Sequence, residues 1–533
     1  MSARKLTSNG ARRVVVYDTT LRDGAQGSGV SFSVADKLLI ARALDRAGVD
    51  YVEGGFPGSN PKDEEFFAEL AKTPLKRARL AAFGATRRAG ASCEADSNLR
   101  ALEESGAPTW TLVGKSDAWQ VRAVLQTSPE ENLAMIRESV AYGVARGHEV
   151  IFDAEHFFDG FARDPLYALE VCGTAAAAGA AWIVLCDTNG GSLPGRVRTG
   201  VEAVVERIGA GRAGGVRVGI HTHNDCELAV ANSLEGIAAG ADMVQGTING
   251  YGERCGNANL ISVVANLVLK LGLEAMPAGS VARFTDLSRT VAEIANLALP
   301  TQQPYVGLGA FAHKGGQHVA AVLKDADAYQ HIDPGLVGNH QRVLVSELSG
   351  RGNVLSKAKE FGLDLDKDDP QTRRLVQHLK ELEHRGYSYE AADASFELLL
   401  RRLQPDYQAP WRVVDFTTLV RKHGTAVQAE ATVKVEVGET LHHTAASGNG
   451  PVNALDAALR KALIPSFPAL KGVRLLDYKV RILDGGAGTA ATTRVLVESG
   501  KGSRRWATVG CSANIIEASL EALIDSLEFA RLG

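Results

Sequence analysis

The chain of 533 residues lacks an excess of either charge: 58 Lys and Arg stand against 62 Asp and Glu, a formal net charge of -4. That balance excludes a general role on nucleic acid or on an anionic membrane surface. Cysteine is sparse and scattered, at Cys93, Cys172, Cys186, Cys226, Cys255 and Cys511, with no Cys-x-x-Cys pair. A disulfide framework is thereby excluded, and reduced thiols in a cytoplasmic protein are expected. No apolar run approaches the length of a membrane span; the Ala-rich stretch 175–181 is short and sits inside a helical pattern. The opening MSARKLTSNGARR has no apolar core of the secretory type. Repeats of solenoid period and low-complexity linkers are missing too.

What is present is too long for one hydrophobic core, so two or more domains are expected. A short β-rich run at 14–17 leads into the polar turn DTTLRDGAQGSG, then into a helix capped by Ser33, with Val34, Leu38, Ala41 and Leu44 on one stripe and Gly48 at its end. The unit repeats. Further strands are expected at 51–53, 79–83, 109–113, 149–153, 182–186, 216–221 and 242–245, with helices between them, for example 129–146 and 224–240. Eight such units over about 270 residues have the size and count of a (β/α)8 TIM barrel, an α/β fold. A doubly wound open sheet is the alternative. The barrel is favoured because each polar, Gly-rich segment follows a strand, the end at which barrels collect their chemistry. We therefore expect a catalytic barrel over 1–273, a helical linker region over 274–405, and an α+β domain over 406–533. In the last, strand-like runs at 412–414, 431–437, 478–483 and 492–498 alternate with helical ones at 452–462 and 514–529.

One stretch stands out for chemistry, VRVGIHTHND at 216–225. On a strand, residues two apart share a face, so His221 and His223 point the same way. A His-x-His pair also occurs on ordinary solvated strand ends. At a barrel mouth, however, Asp23 in the first loop offers a carboxylate oxygen and Asn257 in the eighth loop an amide oxygen. Two imidazoles and two oxygens with open positions suit a divalent ion such as Zn, Mn, Co or Mg, chelating a bidentate 2-oxo acid. Arg22 is placed to neutralise an anion or enolate. In FDAEHFFDG, Glu155 is either a solvated or capping group or, if Phe157 and Phe158 line the site and raise its pKa, a proton carrier. Thr188 in CDTNGG reads equally as a hydrogen-bond donor to a carboxylate and as a helix cap before Pro194. Cys226 and Cys255, with no base beside them, are read as small buried thiols.

The motifs TLRDGAQ (20–26), HTHND (221–225) and GYGERCGNANL (250–260), each after the expected strand, resemble those of the metal-dependent barrel enzymes. That family includes isopropylmalate, homocitrate and citramalate synthases and, more distantly, hydroxymethylglutaryl-CoA lyase. GAFAHKGGQH at 309–318 is similar to the synthases' linker signature, and the end of the chain to their regulatory domain. The resemblance implies a Claisen-type condensation of acetyl-CoA with a 2-oxo acid. It implies Asp23, His221, His223 and Asn257 as metal ligands, Arg22 on the oxo group, Thr188 on the carboxylate, and Glu155 as an acidic residue of the pocket. It further implies His318 and Tyr329 as a contribution from the neighbouring subunit of a homodimer, which leaves the base open between that pair and Glu155. Several synthases carry an acidic residue two positions after that His; here the position is Ala320, which weakens a His and carboxylate relay. The segments HVAAVLKDADAYQHIDPGLVGN and SANIIEASLEAL are most similar to the citramalate branch, so pyruvate is the expected oxo acid and isoleucine biosynthesis the setting. The alternatives are 2-oxoisovalerate, as in leucine biosynthesis, and the lyase direction, against which the domain after 406 and the spacing of Cys255 from Asn257 argue. A barrel surviving only as a scaffold is disfavoured by the intact ligand set. The Gly-rich turns GNGPVN (448–453) and DGGAG (484–488) read locally as backbone turns. The resemblance instead implies an effector amino acid, isoleucine or leucine, at a dimer interface of these domains.

Overall fold

A computed structural model describes residues 12–209, 215–344, 351–363, 365, 370–404, 406–502 and 504–532. Eight parallel strands close into a barrel: β1 (Val15–Asp18), β2 (Tyr51–Gly55), β3 (Arg79–Ala85), β4 (Thr109–Lys115), β5 (Glu149–Glu155), β6 (Trp182–Asp187), β7 (Arg217–Thr222) and β8 (Met243–Gly246). β8 closes on β1 in register Val15↔Met243 through Asp18↔Gly246. Helices cover the outside while side chains fill the inside, so most of these strand residues are buried and the sequences read as short apolar runs. Tyr17, Tyr51, Ile151, Trp182, Val184 and Met243 pack the lower interior. Larger residues pack between the strands and the outer helices, among them Phe66, Trp110, Phe152 and Phe157.

The local signals act as expected in the first unit. Ser33 and Asp36 form a reciprocal capping box on the helix Val34–Ala47, and Gly48 ends it at φ 93°, a left-handed conformation costly for any residue with a Cβ. Two strands run further than their apolar cores. β4 reaches Lys115 and β5 reaches Glu155, because each charged end still pairs in the ladder (Lys115↔Glu155). The helix expected from residue 224 begins only at Ala229. Glu227 is left-handed (φ 59°), and Asn224 folds back to accept from the Ala229 amide.

The chain divides into two units: residues 1–311 with 332–340, and residues 312–331 with 341–533. In the first, helix Phe284–Ile294 extends the barrel's outer packing. In the second, a two-residue parallel pair, β9 (Ala312–His313) and β10 (Arg342–Val343), accompanies helices Gly316–Val322, Arg351–Glu360, Pro370–His384 and Asp393–Arg402.

The end of the second unit repeats one pattern, three antiparallel strands and a helix. β11 (Arg412–His423), β12 (Ala426–Val437) and β13 (Thr440–Gly448) precede helix Pro451–Leu463; β14 (Arg474–Ile482), β15 (Thr493–Lys501) and β16 (Arg504–Ser512) precede helix Ile515–Arg531. β13 and β16 fall where no strand is expected. TLHHTAASG and RRWATVGCS carry too few apolar side chains to show alternation, and antiparallel pairing with a buried neighbour holds them instead. Helix Asp393–Arg402 joins this core. Its Arg402 is paired with Asp525 and Glu528 at 2.7 and 2.8 Å, and Ala394 and Leu398 pack with the sheet and helix side chains. No helix among the described residues is long and apolar enough to cross a membrane.

Candidate metal centre and active site

The turn after β1 is built around a buried carboxyl. Asp18 accepts from the Thr20 amide and hydroxyl, both at 2.9 Å, and the Thr20 hydroxyl in turn accepts from the Ile248 amide beyond β8. Burial pushes the Asp18 carboxyl up to about 7 against those hydrogen bonds. The turn so fixed swings Asp23 over the barrel mouth. Asp23 Oδ2 lies 3.3 Å from His221 Nε2 and 3.7 Å from His223 Nε2, and the two Nε2 atoms are 3.2 Å apart. All three residues are buried, and their ligand atoms lie within 4.8 Å of one another.

Asn257 is drawn to the same place by the backbone. It forms an antiparallel bridge with His223, secured by the Asn224 amide on Gly256 O at 2.8 Å and the Ala258 amide on Thr222 O at 2.9 Å. Its Nδ2 donates to Tyr251 O at 3.2 Å, while its Oδ1 is buried with no hydrogen-bond partner. Gly252 makes room for this. At φ 151°, a Cβ there would stand 2.1 Å from Asn257 Nδ2. Two imidazoles and a carboxylate within reach of one another, with an orphaned amide oxygen on the residue that bridges His223, make the donor types of a borderline or hard divalent ion, so the residues fit such a group.

The charges are arranged to match. Burial would raise the Asp23 carboxyl, but the Arg22 guanidinium and the two imidazoles outweigh it and hold the group well below the usual carboxylate range. Burial would likewise lower His221, but Asp23 raises it above its ordinary value; burial and the neighbouring His221 take His223 down to about 4. Arg22 itself is clamped. Its Nε donates to Glu53 Oε2 at 2.6 Å, its guanidinium carbon lies 3.9 Å from the centre of the Phe83 ring, and Nη1 is 3.4 Å from Asp23. Glu53, fully buried, also accepts from the Tyr17 hydroxyl at 2.8 Å, and Tyr17 reaches Thr111 at 2.6 Å. A cavity of about 560 Å³ opens beside Arg22, with Gln26, Phe56, Lys62 and Phe83 in its wall.

Thr188 and Glu155 lie on neighbouring strand ends. The Thr188 hydroxyl accepts from the His156 amide at 2.8 Å, which leaves its proton free to donate. It is not the cap before Pro194: the residue at that position is Leu193, with no side-chain cap. Glu155 is ion-paired with Lys115 at 2.5 Å at one end of a cavity of about 300 Å³. Of the two readings open for Glu155, the one that needs Phe157 and Phe158 to line the site is not met. Phe157 and Phe158 point into the outer core against Gly200 of helix Pro194–Ile208, because the helix Phe157–Arg163 starts immediately after the strand and turns them away. Cys226 and Cys255 are exposed, not buried as expected, since the loops after β7 and β8 that carry them stand proud of the barrel. Arg254 straps those loops together, with a two-pronged pair to Asp225 at 2.7 and 2.9 Å and a bond to Thr188 O at 2.9 Å.

His318 and Tyr329 belong to the second unit. There the two rings stack at 4.3 Å, and both residues are exposed. Sequence reasoning missed Tyr17, Glu53, Asp153 and Gln245, the polar side chains inside the barrel. Gln245 Oε1 is 2.9 Å from His221 Nδ1, and Gln245 Nε2 donates to Asp153 Oδ1 at 3.2 Å. Burial, with the Glu53 charge adding, pushes Asp153 up to about 7. Strand parity gives their face but not their partners: each stands two residues along its strand from a residue facing the barrel interior.

Comparison with known proteins places the chain. A family profile described as HMGL-like matches residues 13–292, one described as homocitrate synthase post-HMGL domain-like matches 305–387, and one described as LeuA allosteric (dimerisation) domain matches 390–530. The (R)-citramalate synthase of Synechocystis sp. is 51% identical over 521 residues, covering 96% of this chain and 95% of its own. That of Aquifex aeolicus is 50% identical over 524 residues, covering 97% and 98%. The 2-isopropylmalate synthase of Methanocaldococcus jannaschii is more distant, 30% identical over 517 residues, covering 97% and 94%.

Proposed function

This chain belongs to the HMGL-like family, in the branch of the (R)-citramalate synthases, and from that premise we propose that it condenses acetyl-CoA with pyruvate to give (R)-citramalate and CoA, in isoleucine biosynthesis. The observation that carries the reading is the convergence of Asp23, His221 and His223 at the barrel mouth beside a clamped Arg22. Asp23, His221, His223 and the Asn257 amide oxygen hold a divalent ion, Zn, Mn, Co or Mg; when bound it supplies Lewis-acid polarisation of the oxo group.

The protein's own groups do the rest. Thr188 donates its hydroxyl proton to the carboxylate of the oxo acid. Arg22, held by Glu53 and stacked on Phe83, keeps a fixed cation against the oxo oxygen as that oxygen gains negative charge. A base takes a proton from the acetyl methyl group, and the carbon so released bonds to the oxo carbon of pyruvate as the carbonyl π pair moves onto oxygen, which takes a proton from the protonated base or from water and ends as a hydroxyl. Water then cleaves the thioester, leaving a carboxylate and the CoA thiol. Glu155 is one candidate for the base, and His318 with Tyr329 from the neighbouring subunit of a homodimer is the other. Glu155→Gln is expected to lower turnover by roughly 10²–10⁴ if Glu155 carries the proton; an unchanged rate assigns the step to the His and Tyr pair.

The choice of oxo acid is tested by thiol release from acetyl-CoA with pyruvate, 2-oxobutyrate, 2-oxoisovalerate and 2-oxoglutarate. Pyruvate is expected to give the highest kcat/KM and a chelator to abolish the rate; 2-oxoisovalerate as the best substrate would move the chain to the isopropylmalate reaction. Added isoleucine or leucine is expected to slow the same assay through the C-terminal domain, whose match to the LeuA allosteric (dimerisation) domain supports that reading. Unpaired thiols throughout suit a cytoplasmic enzyme.

A further inference from the structure

On the Nδ1 side of His221 lies a second polar group inside the barrel. His221 and Gln245 are direct partners in the β7–β8 ladder. Their side chains meet at 2.9 Å, and Gln245 reaches on to Asp153 of β5 at 3.2 Å. None of the three is more than 3% exposed, so water does not compete for these bonds.

An imidazole can offer a metal ion only a nitrogen that carries no proton. The nitrogen turned toward Asp23 and His223 is Nε2, so the proton of neutral His221 belongs on Nδ1, which calls for an acceptor there. A primary amide presents an acceptor oxygen on one side and donors on the other, and turned over it would put a donor against Nδ1 and drive the ring proton to Nε2. The Asp153 carboxyl oxygen accepts from the amide nitrogen and so holds the amide oxygen toward His221. We propose that Gln245, oriented by Asp153, is a positioning residue that fixes His221 in the tautomer with Nε2 free, and thereby sets the affinity of the site for a divalent ion. This rests on the reading of Asp23, His221 and His223 as metal ligands.

The test is Zn2+ binding to the metal-stripped, full-length protein, by competition with a chromophoric chelator and without substrates. Gln245→Met keeps the bulk of the side chain and removes the acceptor. Its affinity is expected to fall roughly 10–100-fold, while the thermal midpoint of the metal-stripped chain gauges whether the barrel is intact. Gln245→Glu combined with Asp153→Asn exchanges donor and acceptor partners but keeps an acceptor on His221, so affinity is expected to return to near the native value. A folded Gln245→Met chain that binds Zn2+ as tightly as the native one overturns the proposal, as does an exchanged pair no better than Gln245→Met. If Gln245→Met does not fold, the exchanged pair decides, together with ¹⁵N imidazole spectra of the native chain at alkaline pH: Nδ1-protonated His221 supports the proposal, and Nε2-protonated His221 overturns it. A native chain that takes up no divalent ion overturns the metal reading itself, and the spectra then still report the tautomer.

Discussion

Asp23→Ala is expected to lower kcat/KM by ~10³-fold or more, with a matching loss of bound divalent ion on metal analysis. Two things vanish together. The oxygen ligand that completes a set with His221 and His223 is removed, and so is the negative charge that holds His221 above its ordinary pKa. Lewis-acid stabilisation of a developing oxyanion is worth several kcal/mol, and each 1.36 kcal/mol is about tenfold in rate. Asp23→Asn separates the two contributions, since it keeps an oxygen and loses the charge; it is expected to fall between the native chain and Asp23→Ala. Full thiol release by Asp23→Ala after dialysis against chelator would remove the metal from the mechanism.

The second large effect is expected at Arg22, and it has a stability component as well as a catalytic one. Glu53 is fully buried and takes its only cation from Arg22 among the ion pairs described. Arg22→Ala strands that carboxylate, and breaking a buried pair from one side costs about 3–5 kcal/mol. Removing a preorganised cation from an oxyanion costs a further ~10²–10³ in kcat. Arg22→Lys keeps the charge but loses both the planar stacking on Phe83 and the fixed Nε–H toward Glu53, so it is expected to recover much of the stability and little of the rate. Thermal unfolding and kcat/KM measured on both variants separate the components. An Arg22→Ala chain destabilised yet near native in kcat/KM would make Arg22 a structural residue only.

The barrel was legible because its evidence is periodic. Eight apolar runs, each followed by a polar turn, survive errors of two or three residues at every boundary. The convergence of the proposed ligands was legible for a different reason: His221 and His223 share a strand face by simple parity, and Asp23 and Asn257 lie in loops that a barrel brings to one end. What escaped is the polar interior. Glu53, Asp153 and Gln245 are satisfied by side chains on strands distant in sequence, and no local window shows which polar strand residue has such a partner. Whether Phe157 and Phe158 line the site stayed open for a related reason, because sequence proximity to Glu155 says nothing of the immediate turn into a helix that points them outward. In the C-terminal domain, β13 and β16 owe their conformation to neighbouring strands rather than to their own composition.

The β8–β1 pairing joins the last strand of the barrel to the first, and Asp23 and Asn257 stand on either side of that seam, with the histidines one strand further. A chain emerging from the ribosome carries Asp23 early but cannot bring it to His221 or Asn257 until all eight strands exist and the sheet has closed. The cluster of Asp23, His221, His223 and Asn257 is therefore a record of completed topology. Before the sheet closes, Asp23 and the two imidazoles stand apart, so the complete cluster forms only with the final strand.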